Sequence, residues 1–275
     1  MPNAIAINNE NLTAALDRLV AGKFNLIILK LGEWAGPNDP NGIPEGNIKY
    51  FLSSSQITSF ISAVKARIPD AKVHARVYNV QGWQTPWDIS SATMRQTVIN
   101  SAMAALDRGF DGFNEDTEKW SDLTPAYLSS LVTFWNDLAD ATRARGKKLS
   151  VDALAPYAYP VETVYPQLDV DYIFPMLYNG GSYGQIDFKT VMNRVLTIGG
   201  LSPVVIWMYP QPPTALASIL SWIDAQLASH GSYSKLAGFG IWQYIEMAAA
   251  DFTAWNAWST KNGYANGELK DVFLT

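Results

Sequence analysis

The segment FDGFNEDTEKW, Phe110 to Trp120, decides how the chain is read, because it sets three acids and an amide where the end of a buried strand should be apolar. With a side-chain period of two, Gly112, Asn114, Asp116 and Glu118 share one face of such a strand, and Phe113, Glu115 and Thr117 share the other. Asp116 and Glu118 then stand about 7 Å apart at their Cα atoms. Two carboxyls that close in a partly dry site resist ionising together, so one holds a proton near neutral pH and can act as a general acid. Glu115, on the opposite face, is expected to contact the helical layer.

On either side of this segment the same alternation recurs: a short apolar run bounded by turn residues, then a longer stretch with a period of 3.6. Strands are expected at Ala4 to Asn8, Phe24 to Leu31, Lys72 to Asn79, Phe110 to Glu118, Lys148 to Ala155, Asp171 to Tyr178, Pro203 to Tyr209 and Ala237 to Gln243. Helices fall between them. After the fourth strand, Leu128, Leu131, Val132, Trp135 and Leu138 make one apolar stripe. Eight β-then-α units in 275 residues predict an α/β fold, a single (β/α)8 TIM barrel spanning residues 1–275 as one domain. An open doubly wound sheet is the runner-up, but no G-x-G-x-x-G follows the first strand and no Walker sequence occurs. The Pro- and Gly-rich piece from Glu33 to Gly46 reads as a long βα loop, and such loops sit on the catalytic face of these barrels.

Composition removes several chemistries. Without Cys there is no disulfide framework, thiolate zinc site, iron–sulfur cluster or cysteine nucleophile. The only histidines, His74 and His230, lie far apart, which argues against a metal site built on several imidazoles; neither a metal nor a cofactor is expected. Carboxylates must do the acid–base work. A net charge of −5 argues against a nucleic-acid partner. No stretch approaches the roughly 18 apolar residues that cross a bilayer, and MPNAIAINNENL lacks a charged region followed by an apolar run. No membrane association is expected, nothing demands a second chain, and the cellular address stays open, an extracellular one included.

Phe110 to Glu118 resembles the signature of glycoside hydrolase family 18, the chitinase family, which reads D-G-x-D-x-D-x-E on the fourth strand of a (β/α)8 barrel. Asp111, Gly112, Asp116 and Glu118 match, Asn114 is a variant of the first inner acid, and Glu115 replaces an apolar residue. Met176, Leu177, Tyr178 and Asn179 resemble the family's M-x-Y-D motif on the sixth strand, with Asn in place of Asp. Trp242 resembles the Trp on the eighth strand that floors the sugar subsite. The family's S-x-G-G on the third strand is absent, and HARVYNVQGW, His74 to Trp83, stands there.

The resemblance implies a retaining, substrate-assisted mechanism, one of the exceptions to the two-carboxylate scheme. Glu118 would protonate the leaving oxygen and later activate water, the substrate's N-acetyl oxygen would be the nucleophile, and Asp116 would orient the acetamido N–H. Tyr178 would hydrogen-bond the acetamide oxygen, Asn114 would modulate Asp116, and Asn179 would hold the sugar or its acetamide. The substrate would be a β-1,4-linked N-acetylglucosamine polymer or glycan.

Trp34, Trp83, Trp87, Trp120, Tyr157, Tyr159 and Tyr183 all follow strand candidates and are expected to rim the open face, where flat sugar faces pack on aromatic rings. Trp34, Trp83, Tyr78 and Met176 join Trp242 and Asn179 as candidate substrate contacts. Trp135, Trp222, Trp255 and Trp258 read as helix-packing residues. Lys30, Arg76 and Asp152, polar residues inside strands, are expected to form an ion-pair layer under the site. Tyr209 is followed by PQPP and then at once by a helix, so there is no small α+β domain inserted after the seventh strand, and an open groove suited to internal cleavage follows.

Two rivals stand beside this reading. Barrels of the same family also serve as lectins, which typically lose the acid matching Glu118. Gly180, Ser182 and Gly184 spell the nucleophile-elbow pattern of serine esterases, whose triad would need His230. That histidine precedes Gly231 at a predicted helix end, where a C-terminal cap is its ordinary role.

Overall fold

Nine strands form one sheet in the computed structural model, which describes residues 3–7, 16–17, 19–20, 24–78, 87–116, 123–153, 161–175, 194, 197, 202–208, 216–230, 236–241 and 249–262. They are β1 Asn3–Ile7, β2 Leu26–Trp34, β3 Ile48–Tyr50, β4 Lys72–Tyr78, β5 Gly112–Asp116, β6 Lys148–Ala153, β7 Tyr172–Pro175, β8 Val204–Met208 and β9 Leu236–Ile241. All eight strands expected from the sequence are present, and β3 is additional. The fold is α/β and the sheet mostly parallel. Its order runs β1-β9-β8-β7-β6-β5-β4-β2-β3, and β1 also pairs with β2.

The longer helices are α1 Ser54–Arg67, α2 Ala92–Leu106, α3 Pro125–Arg143, α4 Leu216–His230 and α5 Ala249–Lys261. Each start that carries a cap does so for a local reason. Ser53 and Gln56 form a capping box at α1, and Thr124 accepts from the Tyr127 N–H at α3, where Pro125 supplies the first helical residue. The stripe of Leu128, Leu131, Val132, Trp135 and Leu138 is buried, as its spacing predicts.

Leu26, Ile27, Ile28 and Leu29 are all fully buried, the continuous apolar run of a strand covered on both faces. On α5, Trp255 stacks on Phe24 at 5.6 Å and Trp258 meets Phe239 edge-on at 5.0 Å, so these indoles pack the core as expected.

The stretch read as a long βα loop is partly strand. β2 runs on through Trp34, and β3 pairs with it antiparallel, Gly32 opposite Tyr50, Glu33 opposite Lys49 and Trp34 opposite Ile48. Glu33 and Lys49 form an ion pair at 2.7 Å across this pairing. Gly32 is obligatory here, because a Cβ would lie 2.3 Å from the Lys49 carbonyl oxygen. β8 ends at Met208 and α4 begins at Leu216.

Candidate active site

All five residues of β5 are buried, and their alternation sends the two rows to different environments. On the helix side, Trp135 of α3 donates its indole N–H to Glu115 Oε2 at 2.6 Å, and Trp34 donates to Oε1 at 3.3 Å. Glu115 is therefore a buried carboxylate tying β5 to the helical layer and to β2, as its strand face predicts. Trp34 does not rim an open face: it is 2% exposed, packed 6.1 Å from Phe113 and bonded to Glu115. Trp87 is corrected in the same way, being buried against Phe134 of α3 with ring centroids 4.9 Å apart.

The opposite row, Gly112, Asn114 and Asp116, meets polar residues from both neighbouring strands. The register sets Arg76 of β4 beside Asn114 and Tyr78 beside Asp116, while Ser150 of β6 flanks Asn114 on the other side. Asn114 Nδ2 donates to Ser150 Oγ at 3.1 Å and to Asp152 Oδ1 at 3.0 Å. Arg76 donates to Asp116 Oδ2, and its Nε lies 3.4 Å from Asp152 Oδ2. Arg76, Asn114, Asp116, Ser150 and Asp152 are all buried. Burial first, and the neighbouring Asp116 second, push the Asp152 carboxyl up to about 8.

His74 closes the lower end of this cluster, with Nδ1 at 3.4 Å from Ser150 Oγ. Burial lowers its pKa to about 3, so the ring is neutral. Ser150 Oγ in turn lies 3.3 Å from the Phe113 carbonyl, so a hydroxyl donating there accepts from both Asn114 and an Nδ1–H tautomer of His74. Gly112 has no side chain for a direct reason: a Cβ would sit 2.4 Å from His74 Nε2 and 2.5 Å from the Lys148 carbonyl oxygen.

Tyr78 borders Asp116, half-buried, with its hydroxyl pushed up to about 12 by burial and then by Glu33, so it stays protonated. Lys30 lies over the Tyr78 ring at 4.2 Å and over Phe51 at 5.6 Å. Of the expected ion-pair layer, Arg76 pairs with both Asp116 and Asp152. Asp111 serves elsewhere. Burial pulls its pKa upward, but Lys65 at 2.7 Å and the Val73 N–H at 2.9 Å outweigh it and hold the carboxylate below its ordinary value.

Sequence reasoning brought Asn114 and Asp116 to one face and marked Arg76 and Asp152 as polar intruders. It missed that these four are one cluster, and it missed Ser150 and His74 altogether. The available signal was polar residues at a period of two, His74-Arg76-Tyr78 on β4 and Ser150-Asp152 on β6. Glu118, Met176, Tyr178, Asn179, Trp83 and Trp242 lie outside the described residues, as do Trp120, Tyr157, Tyr159, Ser182, Tyr183 and the side chains of Trp222 and His230. Among the described residues no group of three or more His, Asp or Glu side chains could hold a metal ion, and no helix is long and apolar enough to cross a membrane.

No protein-family model matches the sequence, and no curated protein matches it. Solved structures do match. A chitinase from Bacteroides thetaiotaomicron superposes with a TM-score of 0.69 at 13% identity, over 96% of this chain and 98% of that one. A glycoside hydrolase family 18 N-acetylglucosaminidase from Paenibacillus barengoltzii gives 0.66 at 14% identity, over 94% and 100%. A family 18 chitinase variant from Cycas revoluta in complex with (GlcNAc)4 gives 0.67 at 14% identity, over 94% and 99%. At these identities the likeness is one of fold: the chain is built like the family 18 chitinases.

Proposed function

We propose that the chain is a glycoside hydrolase of the chitinase type, a retaining, endo-acting enzyme for β-1,4-linked N-acetylglucosamine polymers or glycans. The observation that carries this reading is the buried Asn114–Asp116 row on β5, at the strand end that leads to Glu118, in a fold shared with chitinases. The pairing of β1 with both β2 and β9 supports a closed (β/α)8 barrel, taken here as one domain over residues 1–275 and a monomer. Catalytic residues in such barrels come from the C-terminal ends of strands, where Asp116 stands.

In this mechanism Glu118 gives its proton to the glycosidic oxygen while the acetamide oxygen of the substrate attacks the anomeric carbon from the other side. Asp116 accepts the acetamide N–H, which aligns the nucleophile and balances the positive charge of the oxazolinium ion. Tyr178 donates to the acetamide oxygen, and Glu118, now ionised, takes a proton from the water that opens the ring. Met176, Asn179 and Trp242 line the sugar-binding floor, and Tyr78, next to Asp116, offers a protonated hydroxyl to a neighbouring sugar. Trp34, being buried, has no part in it.

The product profile on chito-oligosaccharides and on a chitobiose-core N-glycan, run beside Glu118→Gln, tests this reading. Cleavage lost in the variant supports it. Binding without cleavage by either protein makes the chain a lectin-like barrel instead.

A further inference from the structure

We infer that Asp152 is a positioning residue of this site, sharing a single proton with Asp116 beside the guanidinium of Arg76. Its consequence for turnover rests on the hydrolase reading above; the proton itself is read from geometry.

Arg76 holds both carboxyls at once, Asp116 through its terminal nitrogen and Asp152 through Nε at 3.4 Å. The three side chains are 6%, 1% and 0% exposed for Arg76, Asp116 and Asp152. Fully ionised, the trio would bury a net negative charge without water to solvate it, which is costly. Two buried oxygens, Asp116 Oδ1 and Asp152 Oδ2, also accept no hydrogen bond among the described residues. Asp116 and Asp152 each come one residue after the paired Glu115 and Val151, on strands roughly 4.8 Å apart, so their carboxyls are neighbours. One proton on Asp152 Oδ2, donated to Asp116 Oδ1, serves both orphan oxygens and makes the trio neutral.

Asn114 decides which oxygen carries that proton. Its amide N–H already occupies Asp152 Oδ1, leaving Oδ2 for it. The groups facing Asp152 are Arg76 from β4, Asn114 and Asp116 from β5, with Glu115 behind them, and on the β7 side its register partner is the uncharged Phe174. The raised pKa of Asp152, to about 8, points the same way.

The shared proton gives Asp116 two roles without a change in net charge. When a substrate N–H is offered to Asp116 Oδ1, the hydrogen bond from Asp152 to that oxygen breaks and the O–H bond on Asp152 Oδ2 stays intact. Asp116 then faces the substrate as an anion, and no proton enters or leaves the cluster.

Carboxyl-13C NMR of aspartate-labelled protein, titrated from about pH 5 to about pH 10, tests this directly. One aspartate should titrate near pH 8, its signal absent from Asp152→Asn and its transition moved down in Asp116→Asn. A wild-type spectrum with no carboxyl titrating above about pH 6 overturns the shared proton, whether or not the variants fold. The coupling to turnover is read from the pH profile of kcat/KM on a chito-oligosaccharide. Wild type should show an alkaline loss near pH 8 in addition to the one set by Glu118, and Asp152→Asn, which carries no titrating group there, should keep only the Glu118 limb. An unchanged alkaline limb in Asp152→Asn overturns the positioning role. Failure of wild type to cleave any N-acetylated oligosaccharide sinks the hydrolase reading alone, because the NMR titration still decides the proton.

Discussion

Two neighbouring carboxyls on β5 are buried for opposite purposes, and the difference is written in what they touch. Glu115 accepts one indole N–H on each oxygen and acts as a bracket between strand and helix. Glu115→Gln keeps one acceptor and turns an amide N–H toward an indole N–H, so it should cost about 1–3 kcal/mol of stability, read from the urea midpoint. Asp152 behaves differently, since its folded pKa of about 8 lies above the roughly 3.9 of an unfolded aspartate. The native state then binds the extra proton between those values. Its stabilisation is complete below about pH 4 and is lost as pH rises through about 8, at up to about 1.4 kcal/mol per pH unit. Urea midpoints from about pH 5 to about pH 8 should therefore decline in wild type relative to Asp152→Asn, and parallel curves would contradict the assignment. Strand parity made Glu115 and Asp116 separable in the sequence. The meeting of Asp116 with Asp152 and Arg76 was not separable there, because it depends on the register between strands 36 and 40 residues apart.

Among the elements, the short apolar runs of the strands and the stripe on α3 were legible because both faces of each parallel strand are covered and each helix buries one side. The β2–β3 pairing was not, since β3 is only three residues long and carries no alternation of its own. That omission also displaced Trp34 from a strand to a loop and turned a buried anchor into an expected sugar platform. Gly32→Ala tests the pairing. Its methyl would press on the Lys49 carbonyl oxygen, a backbone atom with no rotamer to retreat to. A loss of about 1–3 kcal/mol is expected, with hydrogen exchange speeding first in residues 48–50. Gly112→Ala should be at least as costly, since it meets both His74 and the Lys148 carbonyl oxygen, and removing the imidazole by His74→Ala should not restore stability.

At the scale of the whole molecule, eight parallel strands place a dry polar cluster on the sheet face away from the helices, while the helix side is sealed by indoles. The fold is that of chitinases at 12–15% identity, a level at which architecture persists and the site must speak for itself. Met208 and Leu216 lie too close in sequence for an inserted domain between them, and for the open groove we propose, early products of mixed internal cleavage are the expected outcome on a long oligosaccharide. Exclusive release of disaccharide from one end would contradict that shape. We propose that the acid of an N-acetylglucosaminide hydrolase is Glu118, two residues beyond Asp116. It is tested most directly by the hydrolysis of chitotetraose or chitopentaose by wild type and by Glu118→Gln. Turnover with retained anomeric configuration, reduced at least a hundredfold in the variant with substrate binding preserved, is the predicted result. Equal activity in the two proteins, or binding by both with turnover by neither, would contradict it.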